Sequence, residues 1–257
     1  MKKQLIDFRT LSCLRFPNRT ALLTLTPADG RTLPAMLPGQ FVNIRIDTGK
    51  DTFLRRPISI YDVDRSSNSL ILYVKEAGEG TGILCASREG DRYNILLPLG
   101  NGFPTDTGAR KPLLVGGGVG IAPMLYLGKK LKEKGVEPRF LLGGAAQTDL
   151  LLADHFSLYG RVDLTTADGS AGVKGFVTDH SSLQNPDCDA IFCCGPTPMM
   201  KAVVEVARRH GIDCWVSLEN LMACGLGACL CCVEDTKTGH RCVCTDGPVF
   251  NINDLKW

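Results

Sequence analysis

Six of the chain's 12 cysteines, Cys224, Cys229, Cys231, Cys232, Cys242 and Cys244, fall in one stretch near its end, while Cys13, Cys85, Cys188, Cys193, Cys194 and Cys214 are scattered. So dense a group of thiols leaves two ways to build that region: disulfide staples, or a shell around metal. The start, MKKQLIDFRTLS, has Asp7 and Arg9 where a signal peptide needs an unbroken apolar stretch. A reducing cytoplasm is therefore expected, and there clustered cysteines point to metal or redox chemistry. The most apolar window, 112–128, is short and rich in glycine, so no membrane span is expected.

Cys224, Cys229 and Cys232 have the spacing C-x4-C-x2-C, and eleven residues separate Cys232 from Cys244. This is the plant-type [2Fe–2S] pattern, in which a tight loop supplies three thiolates and a separate segment the fourth. Gly225 and Gly227 let that loop come close and turn its amides toward sulfur. A structural zinc site built on Cys229 and Cys232 with Cys242, Cys244 or His240 is the alternative, and the x4 spacing with its glycines favours iron–sulfur. Cys231 and Cys242 are then spare.

The first hundred residues alternate apolar runs of strand length (21–26, 41–46, 69–74) with turns at Asp29-Gly30 and Pro38-Gly39, which suggests a small antiparallel barrel. Within it Arg56-Pro57-Ile58-Ser59 can hold a dinucleotide: the guanidinium forks onto a pyrophosphate, and the Ser59 hydroxyl reaches the ligand. Gly78-Glu-Gly80-Thr81-Gly82 can cradle a phosphate on free amides. Each stretch alone reads more readily as a strand edge or a turn than as a binding site, and their joint occurrence carries the binding reading.

Near residue 105 the pattern changes to alternating strands (111–115, 139–142, 190–194) and helices (124–134, 197–210), which implies a parallel sheet. After the first of these strands comes Gly116-Gly117-Gly118-Val-Gly120-Ile-Ala-Pro123, a dinucleotide-type turn with proline at the third glycine position. Proline suits a first helical turn, so amides and helix dipole still face a phosphate. A second turn, Cys194-Gly195-Pro196, ends a later strand, and no arginine follows the strand at 139–142 to hold a 2′-phosphate, which favours NAD over NADP. The architecture expected is a β-barrel (1–104), a nucleotide-binding α/β domain (105–214) and a small [2Fe–2S] domain (215–257). With 29 basic against 27 acidic residues, no nucleic-acid footprint is expected.

With these parts in this order the chain resembles the ferredoxin–NADP reductase superfamily and, within it, the electron transfer subunits of class 1B dihydroorotate dehydrogenases. RPIS at 56–59, GT at 80–81, GGGVGIAPM at 116–124, CGPTPMM at 194–200 and SLENLMACGLGACLCCV with CTDGPVF carry the resemblance over essentially the whole chain. It implies FAD contacts at Arg56 to Ser59, Tyr73-Val74-Lys75 and Gly80-Thr81, and a cluster on Cys224, Cys229, Cys232 and Cys244. It implies an FMN-containing catalytic partner in a two-plus-two heterotetramer, serving pyrimidine biosynthesis. Cys194 is a possible participant beside the nicotinamide. The competing readings are a reductase subunit of the NAD(P)H–ferredoxin, sulfide dehydrogenase or hydrogenase type, and a non-catalytic zinc-binding interaction module. Reductases of that type are expected to carry Asp at the first cluster position, where this chain has Cys224.

Overall fold

A computed structural model describes residues 2–50 and 52–257. Strands β1 (Gln4–Phe16), β2 (Thr20–Pro27), β3 (Phe41–Ile44), β4 (Arg56–Asp64), β5 (Ser69–Lys75) and β6 (Arg92–Leu99) close an antiparallel barrel in the order β1-β2-β5-β4-β3-β6. Alternate side chains point inward, and Phe8, Leu23, Leu25, Ile44, Ile60, Leu70, Leu72 and Ile95 fill the interior. Between β5 and β6 the glycine-rich segment expected as a turn forms instead a short helix, α1 (Glu79–Cys85), whose Leu84 and Cys85 pack into the barrel core.

The second unit is a sheet in the order β10-β9-β8-β7-β11-β12-β15, built from β7 (Pro112–Gly117), β8 (Arg139–Gly144), β9 (Arg161–Thr166), β10 (Val173–Lys174), β11 (Ala190–Cys194), β12 (Asp213–Ser217) and β15 (Val249–Asn251). All pairs are parallel except β12–β15. Helices α2 (Ala122–Glu133) and α5 (Thr197–His210) follow β7 and β11, with the shorter α3 (Ala153–Ser157) and α4 (Ser181–Gln184) between. The division expected after residue 214 falls inside β12, because Trp215 to Ser217 continue that strand's pairing with β11. The C-terminal segment is also less separate than its composition suggests. After the hairpin β13 (Val233–Thr236) and β14 (Gly239–Cys242), β15 returns to the edge of the parallel sheet.

Barrel and α/β unit share a packed junction. Tyr126 on α2 donates its hydroxyl proton to the Met36 carbonyl at 3.1 Å, and the Tyr61 hydroxyl lies 2.9 Å from His155 Nδ1. The Phe103 ring meets Phe192 edge-on at 5.8 Å. Among the described residues no helix is long and apolar enough to cross a membrane.

Candidate cofactor and cluster sites

The flavin motif begins β4, with Arg56 to Ser59 all half-buried and paired in register with Ile44 to Phe41 of β3. Gly80, at the start of α1, leaves room for the Arg56 side chain: a Cβ there would stand 2.6 Å from Arg56 Nε. The structure thus brings RPIS and Gly80-Thr81, two stretches separated in sequence, to one place. Thr81 Oγ1 accepts the Ala77 and Gly78 N–H groups at 2.8 and 3.1 Å, so its hydroxyl shapes the loop. The third stretch divides by face. Val74 points into the barrel core and offers a ligand only its backbone, Tyr73 packs against Tyr61 at 6.1 Å, and Lys75 is exposed. Arg56→Ala is expected to remove the guanidinium facing the Gly80 loop and to yield protein with at least about tenfold less bound flavin, read from absorbance after gel filtration.

Strands β7 and β11 are neighbours, yet their crossovers run to opposite sides of the sheet, so their C-terminal ends form the crevice where open α/β sheets bind ligands. Both glycine turns lie there. Gly116 pairs with Cys194, and a Cβ on Gly120 would stand 2.5 Å from the Cys194 carbonyl oxygen, so the two turns touch. Gly118 to Ile121 form a 3-10 turn, and Pro123 lies in the first turn of α2, as its fixed φ favours. Burial pushes the Cys194 thiol far above its usual range, with the Glu219 carboxylate adding to the effect, so the thiol is neutral. Glu219 is itself a residue that sequence reasoning missed. Burial against the surrounding protein raises its carboxyl above the ordinary value.

The four expected ligands come together from two segments. Cys224, Cys229 and Cys232 lie on the irregular stretch before β13, and Cys244 follows β14. The Leu226 N–H donates to Cys224 Sγ at 3.3 Å, and the Cys244 N–H donates to Cys232 Sγ at 3.4 Å. Gly225 (φ +70°) and Gly227 (φ +81°) hold the left-handed backbone that the loop requires. The Leu226 amide, with help from those of Cys229 and Ala228, lowers Cys224 to about 6, so it is thiolate at neutral pH. Burial and the neighbouring Cys232 push Cys244 up to about 12, so binding of metal there has to release its proton. Amides aimed at sulfur suit a cluster. Cys231 is exposed beside the loop, and Cys242 packs partly against the core.

Residues 219–256 match the family model described as the iron-sulfur cluster binding domain of dihydroorotate dehydrogenase B. The chain is 43% identical over 224 residues to the dihydroorotate dehydrogenase B (NAD(+)) electron transfer subunit of Shouchella clausii, covering 85% of this chain and 86% of that one. It is 40% identical to the subunit of the same name from Listeria monocytogenes, covering 88% and 90%. Among solved structures, an NADH-dependent reduced ferredoxin-NADP oxidoreductase superposes with a TM-score of 0.86 at 31% identity, over 97% of this chain and 89% of its own. Barrel, parallel sheet, thiol frame and these likenesses agree: the chain belongs to the dihydroorotate dehydrogenase B (NAD(+)) electron transfer subunit family.

Proposed function

We propose that this chain carries electrons from an FMN-containing dihydroorotate dehydrogenase subunit, in a two-plus-two assembly, to NAD+. One observation supports the reading: both cysteine segments and the Gly118–Ile121 turn of the crevice lie against the same barrel, as transfer between a cluster, a flavin and a nicotinamide requires. When bound, the [2Fe–2S] cluster passes single electrons and FAD exchanges a hydride with NAD+, so the flavin joins one-electron to two-electron chemistry.

The protein's own residues then have definite tasks. Arg56 neutralises the FAD pyrophosphate beside the Gly80-Thr81 amides, and Pro57, Ile58 and Ser59 form the strand along which the flavin lies. Gly116, Gly117, Gly118 and Gly120, with the turn Cys194-Gly195-Pro196, seat the dinucleotide against the start of α2. Cys224, Cys229, Cys232 and Cys244 ligate the cluster. Leu221, Leu226 and Leu230, respectively 85%, 48% and 63% exposed around the thiols, form the apolar rim that the catalytic subunit covers.

The test is direct. Purified chain is expected to show flavin and iron–sulfur absorption, and its complex with the FMN subunit to reduce NAD+ when given dihydroorotate. A colourless protein holding zinc would favour the interaction-module reading. A coloured protein that reduces ferredoxin with NADH, but gives no dihydroorotate-dependent activity with the FMN subunit, would favour the reductase reading.

A further inference from the structure

Asn43 lies in the middle of β3, opposite Pro57 of the flavin motif on one side and Leu96 of β6 on the other. It has no exposed surface, and its neighbours Val42 and Ile44 are buried apolar residues. Its side chain reaches across to the first cysteine of the cluster loop. Nδ2 donates to the Cys224 carbonyl at 3.5 Å, a contact between residues 181 positions apart. Gly225 lies against the same amide, where a Cβ would stand 2.9 Å from Nδ2. Oδ1, meanwhile, has no hydrogen-bond partner among the described residues. A buried amide oxygen left unpaired costs about 1–3 kcal/mol, and an apolar side chain of the same shape avoids that cost. Packing therefore gives no reason for asparagine here, whereas contact with the Cys224 segment does.

A second asparagine fastens the other segment. Asn101, just beyond β6, donates its backbone N–H to the Gly247 carbonyl at 2.6 Å, and its Nδ2 donates to the Thr245 and Asp246 carbonyls at 3.1 and 2.9 Å. These are the residues that follow Cys244. Both segments that supply thiols are thus held by the barrel wall formed by β3 and β6, next to the strand bearing Arg56 to Ser59.

We propose that Asn43 is a positioning residue that sets the separation of cluster and flavin, with Asn101 holding the second cysteine segment to the same wall. The proposal rests on the cofactor assignment given above. It concerns one step: NADH gives the flavin a hydride, two electrons and a proton, and leaves as NAD+; one electron then moves to the cluster while the other stays on the flavin. Loosening the Cys224 segment changes that second transfer and leaves the first alone.

The test compares the wild-type chain with Asn43→Leu and Asn101→Ala, each carrying its cofactors, by stopped-flow reduction with NADH, by electron paramagnetic resonance (EPR) of the reduced cluster and by thermal melting. Asn43→Leu should melt at or above the wild-type temperature and let NADH bleach the flavin within about twofold of the wild-type rate. Cluster reduction should slow by several-fold or more, because electron transfer weakens steeply as the two centres move apart, and the EPR signal should shift. Asn101→Ala, a change at an exposed residue, should show the same pattern with a smaller slowing. Unchanged cluster reduction and EPR in Asn43→Leu, with or without a lower melting temperature, overturn the proposal. Unchanged cluster reduction in Asn101→Ala does so too if Asn43→Leu does not fold. A wild-type chain without iron and sulfide overturns the cofactor assignment, and this inference with it, before any variant is made.

Discussion

Cys224→Ser is expected to abolish dihydroorotate-dependent NAD+ reduction by the complex, with a loss on the order of 100-fold or more, while the chain still binds flavin. The magnitude follows from the position of this sulfur. Its thiolate is stabilised by the Leu226 amide in a loop that two left-handed glycines shape, which suits it to hold metal. Serine keeps the shape but offers a hydroxyl that does not ionise near neutral pH, and two irons are left with three thiolates. Cys231→Ser and Cys242→Ser are the matched controls. Cys231 is exposed beside the loop and Cys242 sits on β14 opposite Val233, so both variants should keep the visible and EPR spectra of the cluster. A variant at Cys242 that bleaches the cluster while Cys244→Ser keeps it would move the fourth ligand from Cys244 to Cys242.

The cysteine spacing and both glycine turns were legible because each is local: its residues fall within one loop, and their chemistry is set by neighbours in the chain. Helix α5 was legible for the same reason, its apolar face recurring at helical spacing from Met200 to Ala207. Strand β15 was not, since three residues are too few for a periodicity, and only pairing with Trp215 to Ser217 makes them a strand. Glycines at 80 and 82 disfavour a helix by propensity, yet α1 forms because Leu84 and Cys85 bury themselves in the barrel. What stayed hidden in the site was the set of residues that join its parts. Asn43 meets Cys224 across 181 positions and Asn101 meets Thr245 across 144, and no spacing rule reaches that far. An asparagine inside an otherwise apolar strand was the one signal in the sequence that could have marked Asn43.

Lys129→Met is expected to destabilise the protein by about 3 kcal/mol, because it leaves Asp62 as an unpaired carboxylate in the junction between barrel and α/β unit. Lys129 Nζ on α2 donates to Asp62 Oδ1 and Oδ2 at 2.9 and 3.1 Å and to the Val63 carbonyl at 3.1 Å, all on β4. The side chains keep only 20% and 13% of their surface, so water can do little to replace the lost partner. Burial alone would weaken the ammonium, but the Asp62 carboxylate outweighs it and holds Lys129 above its ordinary value, so the ammonium stays charged through neutral pH. Removing both charges together, as Asp62→Asn with Lys129→Met, should recover most of the loss in urea melts, since the cost lies in the orphaned charge more than in the missing attraction. The pair also has a functional position. Strand β4 begins with Arg56 to Ser59, and α2 begins just past the Gly116 to Gly120 turn, so this contact ties the flavin strand to the nucleotide turn. The single variant should therefore raise the KM for NADH several-fold, while the double variant, which keeps the packing, should stay near the wild-type value.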